Sequence, residues 1–167
     1  FKQLSQDNPG LIIKDNTRFL SLDSFVDDKQ MYVSRNESIY QSLNLKNFFD
    51  HIYEPFKSKI HCNKKYLLSL LKGKNMIPID KNKHNLHLIY QIYGQSKIYI
   101  FNPKHKNDIE NKSNESIKKY GQKINLTQGL ILYIPIEWYY FYECEDESII
   151  GEILSDNYFT MIYNNLR

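Results

Sequence analysis

What the sequence lacks narrows it first. Cys62 and Cys144 are the only cysteines in 167 residues. Two are too few for the disulfide framework of a small secreted scaffold, and their separation gives no zinc spacing, so both read as free thiols. No apolar run approaches the ~20 residues that a membrane-spanning helix needs. There is no glycine-rich phosphate loop, no Gly-x-Ser-x-Gly elbow and no His-Glu-x-x-His helix, which removes the functions that depend on those motifs. No block of like charge occurs either. The net charge is +3, with the lysines dispersed among asparagines and acids, so no nucleic-acid footprint is evident.

What is present suits one domain over residues 1–167. With 41% hydrophobic and 25% charged residues, a chain of this length can bury roughly two-thirds of its unfolded surface. Fourteen tyrosines against one tryptophan, alongside abundant Lys, Asn and Ile, are what codon bias alone would give, so single tyrosines carry little weight. The chain starts at Phe1. It is therefore either a fragment or the product of processing, such as removal of an organellar (mitochondrial) presequence, and an intracellular protein is expected.

Three stretches differ in character. Residues 1–42 read as a lead-in with a turn at Asp7-Asn8-Pro9-Gly10 and short strands near residues 11–13, 24–26 and 31–33. Residues 43–73 read as helical. Leu45, Phe48, Phe49 and Ile52 have the spacing of one buried helix face near residues 44–53, with Asn44 as the N-cap, and residues 64–72 suggest a second helix ending near Gly73. Residues 84–165 read as a β-rich core. A hairpin is expected from strands 86–93 and 97–101 around Gly94. A polar surface loop follows at 102–119, with few residues to bury and at most a fragment of helix. Strands then follow at 122–126, 130–134, 138–144, 148–154 and 158–163. Short strands with polar turns predict a mainly β fold, a sandwich or barrel.

Two segments sharpen this reading. Residues 129–143, GLILYIPIEWYYFYE, contain a Gly turn, a strand ending in Tyr-Ile-Pro, and an aromatic pair. Residues 85–103, NLHLIYQIYGQSKIYIFNP, contain a Gln-Ile-x-Gly turn, a basic residue and a strand ending in Phe-x-Pro. In this order and separation they resemble the JmjC-type, cupin-like hydroxylases that use Fe(II) and 2-oxoglutarate. The resemblance covers about residues 43–165. It implies a double-stranded β-helix, the cupin or jelly-roll barrel, with short flanking helices near residues 44–53 and 64–72.

The family's iron is held by a His-x-Asp or His-x-Glu pair before the first hairpin strand and by a distal His after the aromatic pair. Carried onto this sequence, the pair falls at Lys81 and Lys83, or at Asp80 and Asn82 if one residue is inserted. The distal His falls at Tyr140, and the lysine that anchors 2-oxoglutarate falls at Ser96, with Lys97 one place late. A cationic lysine repels Fe(II), and a neutral phenol is a poor ligand for it. The resemblance therefore implies a framework without its chemistry: no catalytic residue, no metal and no cofactor. The function expected is that of a non-catalytic, structural or protein-binding accessory subunit of a larger assembly with other protein subunits.

Two alternatives stay open. Asp80, His84, His87 and Glu137, with Tyr140, could form the relocated metal site of a 2-oxoglutarate-dependent oxygenase, although residues i and i+3 of a strand point to opposite faces. A metal-free pocket could instead be lined by His87, Lys97 and Tyr139 or Tyr140. The run Trp138 to Tyr142 could supply an aromatic platform, but alternation along a strand assigns about half of it to the core. Cys144 stands among acids that raise a thiol's pKa, which argues against a nucleophile.

Overall fold

The structure is a computed structural model that describes residues 6, 12–14, 19–21, 32–110 and 112–166. The expected turn at residues 7–10 and the expected strand at 24–26 lie outside these. Eleven strands are described: β1 (Ile12–Lys14), β2 (Phe19–Ser21), β3 (Tyr32–Asn36), β4 (His61–Leu71), β5 (Asn75–Lys81), β6 (Leu86–Tyr93), β7 (Gln95–Phe101), β8 (Gln122–Thr127), β9 (Ile131–Tyr133), β10 (Tyr139–Cys144) and β11 (Ser148–Asn157). The short β1 and β2 pair only with each other.

The other nine strands build two antiparallel sheets, ordered β3-β4-β11-β6-β9 and β5-β10-β7-β8. From β4 onward the chain passes repeatedly between the sheets, and strands distant in sequence become neighbours. This is the strand order of a jelly roll, or double-stranded β-helix, with β3 added at one edge. The expected mainly β barrel is therefore the fold observed. The hairpin expected around Gly94 is not. Strands β6 and β7 lie in different sheets, and Gly94, at φ 73°, is the single residue between them. A Cβ there would meet the Glu147 carbonyl oxygen at 2.2 Å, so the crossing requires glycine.

Three layers of apolar contact explain the remaining elements. Between the sheets, Leu71, Ile77, Ile89, Ile98, Leu126, Tyr140, Tyr142 and Ile150 form the barrel core. The outer face of the five-stranded sheet, with Tyr66, Leu68, Leu70 and Ile153, is covered by Ile39 and Tyr40 of α1 (Glu37–Ser42) and by Phe49 and Tyr53 of α2 (Lys46–Tyr53). Gly151 allows this approach, since a Cβ at that position would sit 2.5 Å from the Phe49 ring. The outer face of the four-stranded sheet, with Tyr99, Phe101, Tyr139 and Phe141, is covered by Ile109 and Ile117. These come from α3 (Lys106–Ile109) and α4 (Asn114–Ile117), so the polar loop expected at 102–119 is a helical cover with two buried anchors.

Further corrections follow from this layering. The helix expected at 64–72 is part of β4. Its Tyr66, Leu68 and Leu70 face the helices while Ser69 and Leu71 face the barrel, so both faces are apolar and the period of two is hidden. Asn44 does not cap α2. It adopts φ 50°, and Leu45 precedes the helix without a side-chain cap. The strand expected at 158–163 is α5 (Tyr158–Asn165), started by Asn157, whose side chain accepts a hydrogen bond from the Thr160 amide at 2.9 Å. No helix among the described residues is long and apolar enough to cross a membrane.

Candidate functional site

Strands of both sheets send polar side chains to the mouth of the barrel. Glu152, on β11, is flanked by Ile149, Ile150, Ile153 and Leu154 and is 1% exposed. Its Oε1 accepts hydrogen bonds from Tyr142 OH at 2.9 Å and Arg35 Nε at 3.2 Å. Its Oε2 contacts His87 Nε2 at 2.8 Å and accepts from Tyr140 OH at 3.3 Å. Burial alone would raise the pKa of this carboxyl. The Arg35 charge and the hydrogen bonds from His87 and Tyr142 outweigh burial and hold it at about 2. Glu152 is thus an ionised carboxylate inside the barrel, and the proton facing it lies on His87 Nε2.

Arg35 completes the arrangement. Its Nη1 donates to Asp80 Oδ2 at 2.6 Å, and its guanidinium carbon lies 4.8 Å from the centre of the Tyr140 ring. Burial opposes the guanidinium charge, but the neighbouring Glu152 carboxylate and the other acceptors raise its pKa above the ordinary value. The Arg35 amide donates to Ser69 Oγ at 2.9 Å, and Ser69 Oγ lies 2.9 Å from Tyr142 OH. Burial first, and the Glu152 charge next, push Tyr140 well above the usual phenol range, so it is a neutral hydroxyl. Arg35, Asp80, His87, Tyr140 and Glu152 are among the residues that line a cavity of about 150 Å³.

Asp80, the first ligand position in the inserted register, and Tyr140, the distal ligand position, are cross-strand partners. Asp80 is on strand β5 rather than in a turn, and the group between it and the Tyr140 ring is the Arg35 guanidinium. A metal cation does not fit beside a fixed cation that already pairs with both carboxylates. Among the described residues, no three His, Cys, Asp or Glu side chains form a group that could hold a metal.

Of the other candidates, Lys81, Asn82, Lys83 and His84 also border this cavity, whereas Ser96, Lys97, Glu137 and Tyr139 do not. Lys81 pairs with Glu137, which takes φ 69° in the turn before β10. Lys83 is exposed. His84 is not a free surface residue: its Nδ1 lies 2.8 Å from Asp156 Oδ2. The four members of the alternative metal set thus have separate partners. Asn82 is buried and fully engaged, donating to the Ile134 carbonyl at 2.8 Å and the His84 carbonyl at 3.1 Å. Ser96 donates to Gln91 Oε1 at 2.6 Å, and Gln91 donates to Ser148 Oγ at 2.6 Å. The position that the resemblance gives to the cosubstrate lysine therefore belongs to a closed polar cluster.

Of the expected pocket, His87 and Tyr140 line the mouth, but Lys97 and Tyr139 do not. Lys97 pairs with Glu145. Tyr139 lies in the outer cluster, its hydroxyl donating to Glu110 at 3.0 Å. Strand alternation divides the aromatic run as expected, with Tyr139 and Phe141 outward and Tyr140 and Tyr142 inward. Burial, more than the neighbouring acids, raises Cys144 to about 11.

The sequence reading missed Arg35 and Glu152, the centre of the site. Glu152 left a signal, a lone acid within SIIGEIL. Arg35 left a fainter one: it is one of three arginines among 22 basic residues, the type suited to paired carboxylates.

No protein-family model matches the chain, and no curated protein matches it. Among solved structures, a cupin superfamily protein of Desulfitobacterium hafniense is similar with a TM-score of 0.47 and 11% identity, over 88% of this chain and 99% of that one. The Cnp3 cupin domain of Schizosaccharomyces pombe gives 0.44 and 10%, over 67% of this chain and 62% of that one, under two thirds of its length. An RmlC-like cupin of Shewanella frigidimarina gives 0.42 and 12%, over 57% and 68%. These structural neighbours are cupin-superfamily proteins. At such scores the fold assignment rests on the strand order.

Proposed function

We propose that this chain is a non-catalytic, cupin-like domain, a degenerate relative of the JmjC-type oxygenases, that serves as a structural or protein-binding subunit of a larger assembly. The observation that carries the proposal is the Arg35–Glu152 pair at the barrel mouth. Where an oxygenase needs a cation with open coordination positions, this barrel holds a guanidinium paired with Glu152 and Asp80 and packed on Tyr140. Scaffold and chemistry separate readily, because sites are grafted on folds.

A binding role is supported by α5. Along this helix and just past it, Tyr158, Phe159, Ile162, Tyr163 and Leu166 are exposed, Phe159 by 84% and Leu166 by 82%. An apolar stripe of this kind is unusual on a free surface and suits a protein interface. The metal-free ligand reading is supported less, since about 150 Å³ falls below the ~300 Å³ at which small-molecule sites ordinarily begin.

The test is purification from native cells, comparing the wild type with Phe159→Asp/Leu166→Asp. A defined complex retained by the wild type and lost by the variant, with unchanged melting, is the expected result. A wild-type monomer, or a complex indifferent to both substitutions, would contradict it.

A further inference from the structure

Among the described residues the two sheets end at β3, β9, β5 and β8. An unpaired edge invites another strand unless something deters it. Pairing along β3 is broken by an irregularity between Val33 and Asn36. Strand β5 has Pro78 at its middle and Asp80 and Lys81 at its end, and β8 presents Gln122, Lys123, Asn125 and Thr127 to solvent. Strand β9 carries no such deterrent. No charged residue occurs between Gly129 and Ile136, and Leu130, Ile131, Tyr133 and Ile136 are each 40% to 50% exposed.

The hydrogen bonds fix which way the backbone of β9 faces. The Gln91 amide donates to the Leu130 carbonyl at 3.0 Å, and the Ile134 amide donates to the His87 carbonyl at 2.9 Å. Between them Leu132 stands opposite Ile89 in antiparallel register. Alternation along the ladder therefore bonds Leu132 to β6 and turns the N–H and C=O of Ile131 and Tyr133 outward. No strand lies on that side among the described residues. Ile131 and Tyr133 also share a face. Their cross-strand partners are Tyr90 and Leu88, and Leu88 belongs to the outer cluster, whereas Leu132 packs against the barrel core.

We propose that β9 is a dimer contact that pairs antiparallel with β9 of a second copy of this chain, about a two-fold axis through Leu132. In that register Ile131 of each copy stands opposite Tyr133 of the other, and the outward N–H and C=O groups of both residues are exchanged. The side chains set opposite are β-branched and aromatic, a favourable cross-strand pair. A two-fold contact needs this self-complementarity. The match favours a copy over a longer foreign strand, since the turn at Gly129, with φ 87°, and Pro135 stop the ladder on either side. Leu130, Ile136 and Phe48, whose ring lies 5.8 Å from that of Tyr90, extend the apolar surface around the ladder. The inference rests on reading the chain as a component of an assembly and names one other member, a second copy.

The experiment is sedimentation velocity on the purified chain at about 1–100 μM, with circular dichroism to check folding. The wild type is expected to be a dimer. Ile131→Pro removes an outward N–H and keeps the bonds to β6, and Tyr133→Lys sets a charge on the contact. Each is expected to remain folded and to weaken the dimer at least about tenfold. Phe159→Asp/Leu166→Asp should dimerise as the wild type does. A wild type that is monomeric at about 100 μM overturns the proposal. So does a dimer that survives Tyr133→Lys, or one that the α5 substitutions abolish. Should Ile131→Pro unfold, Tyr133→Lys decides, because it alters only an exposed side chain. None of these failures touches the α5 interface, which is read in native cells, and loss of that interface leaves the β9 dimer standing.

Discussion

Glu152 and Arg35 depend on each other because each is a charge removed from water. Replacing Glu152 with Gln leaves Arg35 with the half-exposed Asp80 alone and is expected to lower stability by about 3–5 kcal/mol, read from urea unfolding of the two proteins. The pair also sets an acid limit. The Glu152 carboxyl titrates near 4.5 when unfolded and near 2 when folded. A depressed carboxyl stabilises the fold fully above its unfolded value and ceases to do so as pH falls through its folded value. The wild type should therefore lose on the order of 3 kcal/mol between about pH 5 and 2, and Glu152→Gln should lack that component. Equal acid sensitivity in the two proteins would assign the effect elsewhere. At this scale the sequence was legible where chemistry is local. It gave the raised thiol of Cys144 and the ligand positions that the resemblance implies. It did not show what fills their place, because Arg35 and Glu152 are 117 residues apart and only the sheet order brings them together.

Elements were legible where one face is exposed and the other buried. The spacing of Leu45, Phe48, Phe49 and Ile52 gave α2, and alternation gave the inward and outward halves of β10. Strand β4 was misread because helices cover one of its faces and the barrel the other, leaving an apolar run with no period. The cover at 103–120 was misread because Ile109 and Ile117 are its buried anchors in a stretch dominated by polar residues. Two glycines test how the elements meet. Gly94→Ala places a Cβ against the Glu147 backbone at a positive φ, and a loss above about 2 kcal/mol is expected. Gly151→Ala meets only side chains, chiefly the Phe49 ring and also Ile92, so a smaller loss of about 1–3 kcal/mol is expected, recoverable in part by Phe49→Leu. Denaturant melts decide both. Additive effects of Gly151→Ala and Phe49→Leu would mean that α2 does not press on β11 at that point.

For the molecule as a whole, the two sheets, their helical covers and the filled mouth describe a barrel closed around its own charges, with an apolar helix left outside. The sequence indicated the framework through its two β-rich segments, whose order and separation follow from the jelly-roll connection. It could not show a surface such as that of α5, because Tyr158 to Tyr163 alternate as plausibly in a strand until Asn157 is seen to cap a helix. The central claim, that this barrel carries no oxygenase chemistry, is tested most directly by measuring metal content and 2-oxoglutarate turnover on one wild-type sample incubated with Fe(II) and ascorbate. The account requires substoichiometric iron after desalting and turnover at the level of a protein-free control. Stoichiometric iron together with 2-oxoglutarate consumption would contradict it.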